Sequence, residues 1–203
     1  MNADPAAPPP ASTAERRPRN AAATRAAILA SARTAFARSG YDGAGVREIA
    51  AAAGVTAMLV NRYFGSKEKL FAEVCADTMR APVILSPENL AAPDFAAAFA
   101  RSLVGVTGPG ETPLDGFLIL LHSASSPRAA EIGREWIGHG HQATLEAAIA
   151  GPLARERAAV ALALVAGLQV MRQMLEIDAL ARAAPVDLER ILTPVIRVLF
   201  EPT

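Results

Sequence analysis

The sequence predicts an all-α protein of about nine helices, with a three-helix head joined by a linking helix to a larger helical domain. Hydrophobic residues make up 52% of the 203 residues, and many of them are Ala, the strongest helix former. Aromatic residues make up only 5%, and the β-branched and aromatic runs typical of strands are scarce. Apolar residues instead recur every three or four positions, which indicates amphipathic helices.

Charge is distributed unevenly along the chain, although the formal net charge is zero. Residues 16–69 hold ten Arg or Lys and three acidic residues, a balance of +7, whereas residues 76–203 hold ten basic and fourteen acidic residues, a balance of −4. This asymmetry indicates that the first part binds a polyanion. The alternative is a charged surface that serves only solubility.

The composition also predicts the cellular compartment. The single cysteine, Cys75, excludes an intramolecular disulfide framework and is typical of a reducing cytoplasm. The first twenty residues are Pro-rich and polar, without the apolar core of a signal peptide. The longest apolar run, 158–171, is shorter than the span of about 20 residues that crosses a membrane. We therefore expect a soluble, cytoplasmic protein with no membrane partner.

Residues 1–20 are predicted to form a disordered tail, and a first helix is predicted over about 24–39. Three basic residues lie near the end of the tail: Arg16, Arg17 and Arg19. They either contact a phosphate or the minor groove of DNA, as basic arms do, or are solvated. Thr24 can cap the first helix, and Gly40 can end it.

Two short helices with a glycine turn between them follow, over 46–53 and about 57–63. A helix–turn–helix needs a small residue where the helices cross, a Gly at the turn and an apolar residue that fixes the angle. Ala50, Gly54 and Val60 supply these at spacings of four and six. The pattern therefore predicts a helix–turn–helix.

Polar residues mark the start of the next two helices. Thr56 can cap the helix at 57–63, and Ser66 can cap a linking helix over about 67–80. Lys67 at the start of that helix opposes the helix dipole, which a bound phosphate would explain. Cys75 is interpreted as a small buried residue of the linking helix.

The stretch 24–75 resembles the N-terminal domain of the TetR family of repressors. The resemblance rests on V-R-x-I-A-x-x-A-G-V over 46–55 and Y-F-x-S-K-E-x-L over 63–70, after a first helix that ends in Gly-Tyr. It implies a DNA-binding domain over 21–66, with its helix–turn–helix at about 45–64. It also implies a helical effector-binding and dimerisation domain over 67–203.

Roles for individual residues follow from the resemblance. The residues implied to face bases are Arg47, Ala57, Met58, Leu59 and Asn61, and those implied to hold phosphates are Thr56, Tyr63 and Lys67. For Arg62 and Lys69 a phosphate contact and a solvated charge are equally open, and Tyr63 is alternatively a partly buried aromatic. The chain departs from the family pattern at Ala44-Gly45, where Thr or Ser is frequent, and at Asn61, where Tyr is usual.

Five further helices are predicted in the second part of the chain, separated by Pro and Gly: 94–107, 114–122, 127–149, 153–178 and 187–200. The last two carry more apolar surface than one packing face needs. They therefore predict a homodimer in which two helices from each subunit form a four-helix interface, as the resemblance also implies. An ordinary buried core is the alternative.

A mostly apolar small-molecule pocket is predicted in this second domain. Its candidate lining residues are Phe95, Phe99, Phe117, Leu121, His122, Trp136, His139, Gln169, Met171, Arg172 and Met174. His139 and His141 lie two positions apart, on different sides of a helix, so no metal site is predicted. The sequence has no nucleophile elbow or phosphate-binding loop, so neither a cofactor nor enzymatic activity is expected.

We interpret the sequence as a ligand-responsive, DNA-binding transcriptional regulator. The specific hypothesis is a homodimeric repressor released from a palindromic operator by a small, largely apolar effector. A rival hypothesis makes the head vestigial and the protein a ligand-binding or partner-binding module, since Ala57, Met58 and Leu59 are poor hydrogen-bonding residues. Contacts to thymine methyl groups answer that objection.

Overall fold

The first part of the chain forms four helices around a shared core. The structure, a computed structural model, describes residues 13–78, 82–108, 111 and 115–201. The four helices are α1 (Thr13–Gly43), α2 (Val46–Ala52), α3 (Ala57–Phe64) and α4 (Lys67–Thr78). Their order and positions agree with the head and linking helix that the sequence predicts.

Helix α1 begins earlier than predicted, at Thr13 instead of Thr24. Three alanines, 21–23, precede Thr24, and their high helix propensity lets the helix extend through this segment. The predicted cap at Thr24 is therefore wrong, because this residue lies inside the helix. Residues 13–20, which were assigned to the tail, belong to α1, and residues 1–12 lie outside the described residues.

Aromatic side chains organise the core of the head. The ring of Phe36 meets that of Phe71 edge-on at 5.0 Å between centroids, and Tyr41 meets Phe71 in the same way at 5.1 Å. Ile49 and Val60 bring α2 and α3 onto this cluster as buried residues. The same core continues into the second part of the chain.

The second part of the chain contains α5 (Pro87–Leu90), α6 (Phe95–Val106), α7 (Asp115–Ser123), α8 (Pro127–Ile137), α9 (Ala143–Ala148), α10 (Ala154–Leu168), α11 (Asp178–Ala181) and α12 (Pro185–Phe200). A π-helical turn, Gly138–Gln142, joins α8 to α9, and a second one, Gln169–Met174, extends α10. Helices α8 and α9 thus form the single helix predicted over 127–149. Helices α5 and α11 are single turns in segments predicted as connections. With α8 and α9 taken as one helix, the other helices of the described ranges correspond to the nine predicted ones.

The all-α prediction is confirmed, since no residue in the described ranges lies in a strand. A second core is formed by buried residues of α6, α10 and α12. The ring of Phe95 lies 4.7 Å from that of Phe200 and 5.8 Å from that of Phe99. Across the described ranges, no helix has the length and apolar character to cross a bilayer.

The carboxyl end of α1 packs closely on α7. Regular helical geometry breaks at Gly40, which has φ 66° and ψ −176°, so a glycine interrupts the first helix as predicted. A Cβ at Gly40 would lie 2.7 Å from the carbonyl carbon of His122. The backbone N–H of Tyr41 donates to Ser123 Oγ at 2.9 Å, and the ring Nδ1–H of His122 donates to the Ala37 carbonyl at 2.6 Å. These contacts join the head to the second part of the chain.

Candidate nucleic-acid interface and ligand cavity

The turn between α2 and α3 has the features that the sequence predicts. Gly54 adopts φ 68°, a conformation that is inexpensive only for glycine. The N–H of Val55 returns to the Ala50 carbonyl at 2.9 Å. Thr56 caps α3, since its Oγ1 accepts from the N–H of Leu59 at 3.4 Å. Together these bonds fix α3 against α2.

Helix α3 has one buried and one exposed side. Val60 and Phe64 are buried in the head core, as predicted. On the opposite side Met58 is 77% exposed, and Asn61 is exposed as well. The resemblance gives DNA contacts to six further residues. Arg47 and Thr56 are exposed, and the half-buried ones are Ala57, Leu59, Tyr63 and Lys67. We call the surface formed by Arg47, Ala57, Met58, Leu59 and Asn61 the reading face.

The basic side chains of the head fall into two groups. Arg38 forms an ion pair with Glu48, and Arg25 forms one with Glu73. By contrast, no carboxylate of a described residue lies within ion-pair distance of the exposed Arg47 or Arg62. These two arginines therefore present uncompensated positive charge on α2 and α3.

Lys67 lies at the start of α4, beside the head core. Its Nζ is 4.7 Å from the centroid of the Tyr41 ring, a cation–π contact that positions the ammonium group. Burial raises the pKa of Tyr41, with Glu68 and Asp42 adding to the shift, so the ring stays uncharged at neutral pH. Ser66 Oγ accepts from the N–H of Lys69 at 3.1 Å, which is the cap predicted for this helix.

A cavity of about 450 Å³ lies between α4, α6, α7, α8 and α10. Its apolar lining includes Val83, Ile84, Leu85, Phe99, Phe117, Leu120, Trp136, Ile137, Leu145, Leu162 and Val165. Its polar lining includes Arg33, Asp77, Asp115, His141 and Gln169. Apolar walls with a few polar points are the usual form of a small-molecule site.

The charged lining residues contact one another. Arg33 Nε lies 2.9 Å from Asp115 Oδ2, and Arg33 Nη1 lies 3.8 Å from Asp77 Oδ2. His141 is a different case, because burial lowers its pKa and favours the neutral ring. Burial raises the pKa of Cys75 to about 12, so the thiol in this wall stays protonated.

Four of the eleven residues predicted for the effector pocket line this cavity: Phe99, Phe117, Trp136 and Gln169. Two others pack elsewhere, Phe95 half-buried and Arg172 buried. Phe95 packs between Phe99 and Phe200 in the second core. The guanidinium of Arg172 donates to the carbonyls of Val104 at 2.6 Å and Leu180 at 3.2 Å, and to Thr107 Oγ1 at 3.1 Å. Neither residue lines this cavity, and both hold helices together.

The other five predicted residues also lie outside this cavity. His122 and Leu121 lie on the exposed side of α7, where His122 bonds to α1. Met171 and Met174 are exposed on the π-helical turn after α10. His139 lines a separate groove beside Glu68 and Arg128, behind Trp136. Apolar periodicity identifies a helix, but it does not show which neighbouring helix each of its sides contacts. The π-helical turns also rotate the side chains that follow them about the helix axis.

Cys75 and His141 are lining residues that the sequence does not reveal. Cys75 is buried, as interpreted, but it also forms part of the cavity wall. For His141 the sequence raises only a metal site shared with His139. No sequence feature predicts its half-buried position in the cavity wall. Across the described ranges, no group of three or more His, Cys, Asp or Glu side chains could hold a metal ion.

Two sequence models of one protein family match the chain. The model described as bacterial regulatory proteins, tetR family, matches residues 28–74, which contain the helix–turn–helix. The model described as tetracyclin repressor-like, C-terminal domain, matches residues 94–200, which is more than half of the chain. No curated protein matches the sequence significantly.

Solved structures share the fold over nearly their whole length. A transcriptional regulator from Rhodococcus sp. Rha1 is 27% identical, with a TM-score of 0.62 over 86% of this chain and 95% of that one. A TetR-family regulator from Streptomyces coelicolor A3 is 24% identical, with a TM-score of 0.57 over 88% and 95%. The multidrug binding protein EbrR, complexed with malachite green, is 20% identical, with a TM-score of 0.63 over 88% and 98%. With its helix–turn–helix head and its matched second domain, the chain belongs to the TetR family of bacterial transcriptional regulators, which are DNA-binding proteins and not enzymes.

Proposed function

We propose that the protein is a homodimeric repressor that binds a palindromic operator and is released by a small, largely apolar effector. The observation that carries the proposal is the exposure of Arg47, Met58 and Asn61 in the reading face, where Arg47 has no ionic partner among the described residues. In a major groove, Arg47 and Asn61 would hydrogen-bond to base edges, while Met58 and Leu59 would contact thymine methyl groups. Thr56, Tyr63 and Lys67 would hold phosphates, which fixes the register of the helix on the duplex.

A second copy of the chain is the proposed occupant of the exposed apolar surface on α10 and α12. Val160 on α10 and Ile191, Val195 and Val198 on α12 are large apolar side chains on the surface. Gly167 on α10 leaves open space where a side chain would stand. Exposed apolar area of this kind marks an interface, and a two-fold pairing would present two reading faces to two half-sites.

Helix α4 would carry the signal between the cavity and the DNA. Lys67 begins the helix at the head, and Cys75, Asp77 and Thr78 near its other end line the cavity. A ligand that displaces this end would tilt α4, which is about 18 Å long, and so move the head. The ion pair of Glu68 with Arg128 links the same helix to α8. A nearly complete switch requires that the effector favour the released state about 10⁴-fold.

The apolar walls around Trp136 support an apolar effector. The multidrug binding protein EbrR, which has the same fold, has been solved with malachite green and with proflavin. A cytoplasmic location follows from the proposed role, because the operator lies on the bacterial chromosome.

Capture of sheared genomic DNA by the purified protein tests the proposal, with the double variant Arg47→Ala/Lys67→Ala as the comparison. The wild type is expected to enrich a few fragments, and the double variant to bind them at least about 100-fold more weakly, because each lost base or phosphate contact weakens binding and a dimer makes each contact twice. Arg182→Ala is the matched control, since Arg182 directly follows α11 and pairs only locally with Asp178.

Full binding by a double variant that remains a folded dimer would contradict the proposed contact residues. If the wild type enriched no fragment in a salt-dependent manner, the head would be vestigial, and the protein would be a ligand-binding or partner-binding module.

A further inference from the structure

Gln169 is a buried polar residue without a protein partner at one end. Its side chain is 1% exposed and lines the cavity. Its Nε2 group is buried and finds no hydrogen-bond acceptor among the described residues. Buried polar groups in proteins are nearly always paired, and an unpaired donor lowers stability. Because the Gln169 side chain lines the cavity, a rotation of its amide lets this donor reach an acceptor supplied from outside the chain.

The backbone around Gln169 gives a second, independent observation. Gln169 opens the π-helical turn that extends α10, and the only other described π-helical turn, after α8, contains His141. Both residues line the same cavity. Turns of this kind interrupt helices mostly at functional sites, because they shift a side chain out of its regular register. Each of the two helices thus places one polar group in an otherwise apolar wall.

The polar groups of the cavity favour an uncharged ligand. The amide of Gln169 carries no charge, and burial lowers the pKa of His141 so that its ring is neutral. Arg33 already contacts both carboxylates of the lining, at 2.9 Å from Asp115 and 3.8 Å from Asp77. Phe99, Phe117 and Trp136 add aromatic faces on which a planar ring can stack.

We propose that Gln169 donates a hydrogen bond to the carbonyl oxygen of an uncharged aromatic ligand, such as an aryl ketone, ester or lactone. The inference rests on the proposed function, because it specifies the chemistry of the effector in that same cavity. Gln169 is then a specificity residue: it distinguishes a ligand with an acceptor oxygen from its hydrocarbon analogue. A site built to hydrogen-bond a ligand rejects the analogue that lacks the bonding group.

Two probes that differ only in the acceptor test this assignment: benzophenone and diphenylmethane. Equilibrium dialysis gives their affinities, and quenching of Trp136, the only tryptophan of the chain, reports binding inside the cavity. The wild-type protein is expected to bind benzophenone about tenfold more tightly, the size of effect that one buried hydrogen bond produces. In Gln169→Leu the two affinities are expected to be equal.

Thermal unfolding separates a ligand-binding role from a structural one. Gln169→Leu removes an unpaired buried donor, so its melting temperature is expected to stay the same or rise. Gln173→Leu is the matched control on the same turn, because Gln173 Nε2 donates to the carbonyls of Val106 at 3.0 Å and Glu111 at 3.3 Å. This control is expected to melt at a lower temperature and to keep the preference for benzophenone.

Equal affinity of the wild type for both probes, with quenching by both, would overturn the role of Gln169 and leave the cavity as a ligand site. Absence of binding by either probe would overturn the inference and remove the support that the cavity gives to the proposed effector. A preference for benzophenone that survives in Gln169→Leu, or a marked fall in the melting temperature of that variant, would also overturn the assignment.

Discussion

Replacing Gly40 with Ala is expected to lower the free energy of unfolding by about 3–5 kcal/mol, a large part of the stability of a typical domain. Two costs add at this position. A φ of 66° is unfavourable for any residue with a Cβ, and the new methyl group would lie 2.7 Å from the carbonyl carbon of His122. Neither backbone can yield without separating α1 from α7. Chemical denaturation measures the loss.

Gly54→Ala is the matched control for this prediction. Gly54 has nearly the same φ, 68°, but a Cβ there would meet no atom within 4 Å. Only the backbone cost remains, which is about 1 kcal/mol. Equal losses from the two substitutions would contradict the close packing of α1 on α7. A much larger loss from Gly40→Ala than from Gly54→Ala identifies that packing as a main contact between the head and the second part of the chain.

Ile191→Arg is expected to convert the proposed dimer into a folded monomer. Ile191 is 62% exposed on α12, so the substitution leaves the core of the single chain intact. In a two-fold interface the residue occurs twice, and each buried, unpaired Arg carries a desolvation cost of several kcal/mol. Light scattering after size exclusion is expected to give the mass of one chain for the variant and of two chains for the wild type.

DNA binding is expected to fall with the dimer, by at least about 100-fold at nanomolar protein, because a single head contacts only one half-site. Leu121→Arg is the control, since Leu121 is a 39% exposed apolar residue on α7, outside the proposed interface. It is expected to remain dimeric and to bind DNA normally. A dimeric Ile191→Arg would place the interface elsewhere.

The helix–turn–helix was predictable because its signals are local. Gly54 at the turn and the Thr56 and Ser66 caps act within three residues, and the structure places α3 at Ala57–Phe64, against a predicted 57–63. The start of α1 was not predictable in this way. Thr24 is a good cap residue, but the Ala-rich segment before it also favours a helix, so the helix begins earlier. Local cap signals define a helix end only where the preceding residues favour another structure.

The cavity lining was predicted only in part, because it depends on how separate helices face each other. Arg172 illustrates the difficulty, since it is predicted as a polar pocket residue, yet its guanidinium donates to the carbonyl of Val104 on α6, 68 residues away, and to that of Leu180 on α11. His122 likewise bonds to Ala37 in α1. These partners lie on other helices, so the sequence of the helix that carries the residue does not reveal them. The π-helical turns also change which side of a helix faces the cavity.

Hydroxyl-radical footprinting on a DNA fragment captured by the wild-type protein tests the central claim most directly. The account predicts two protected half-sites related by a two-fold axis, with their centres about 10 base pairs or a multiple of that apart, since each chain of the dimer places one α3 in a major groove. The double variant Arg47→Ala/Lys67→Ala should lose both protections together. A single unsymmetrical footprint, or protection that persists in the double variant, would contradict the account.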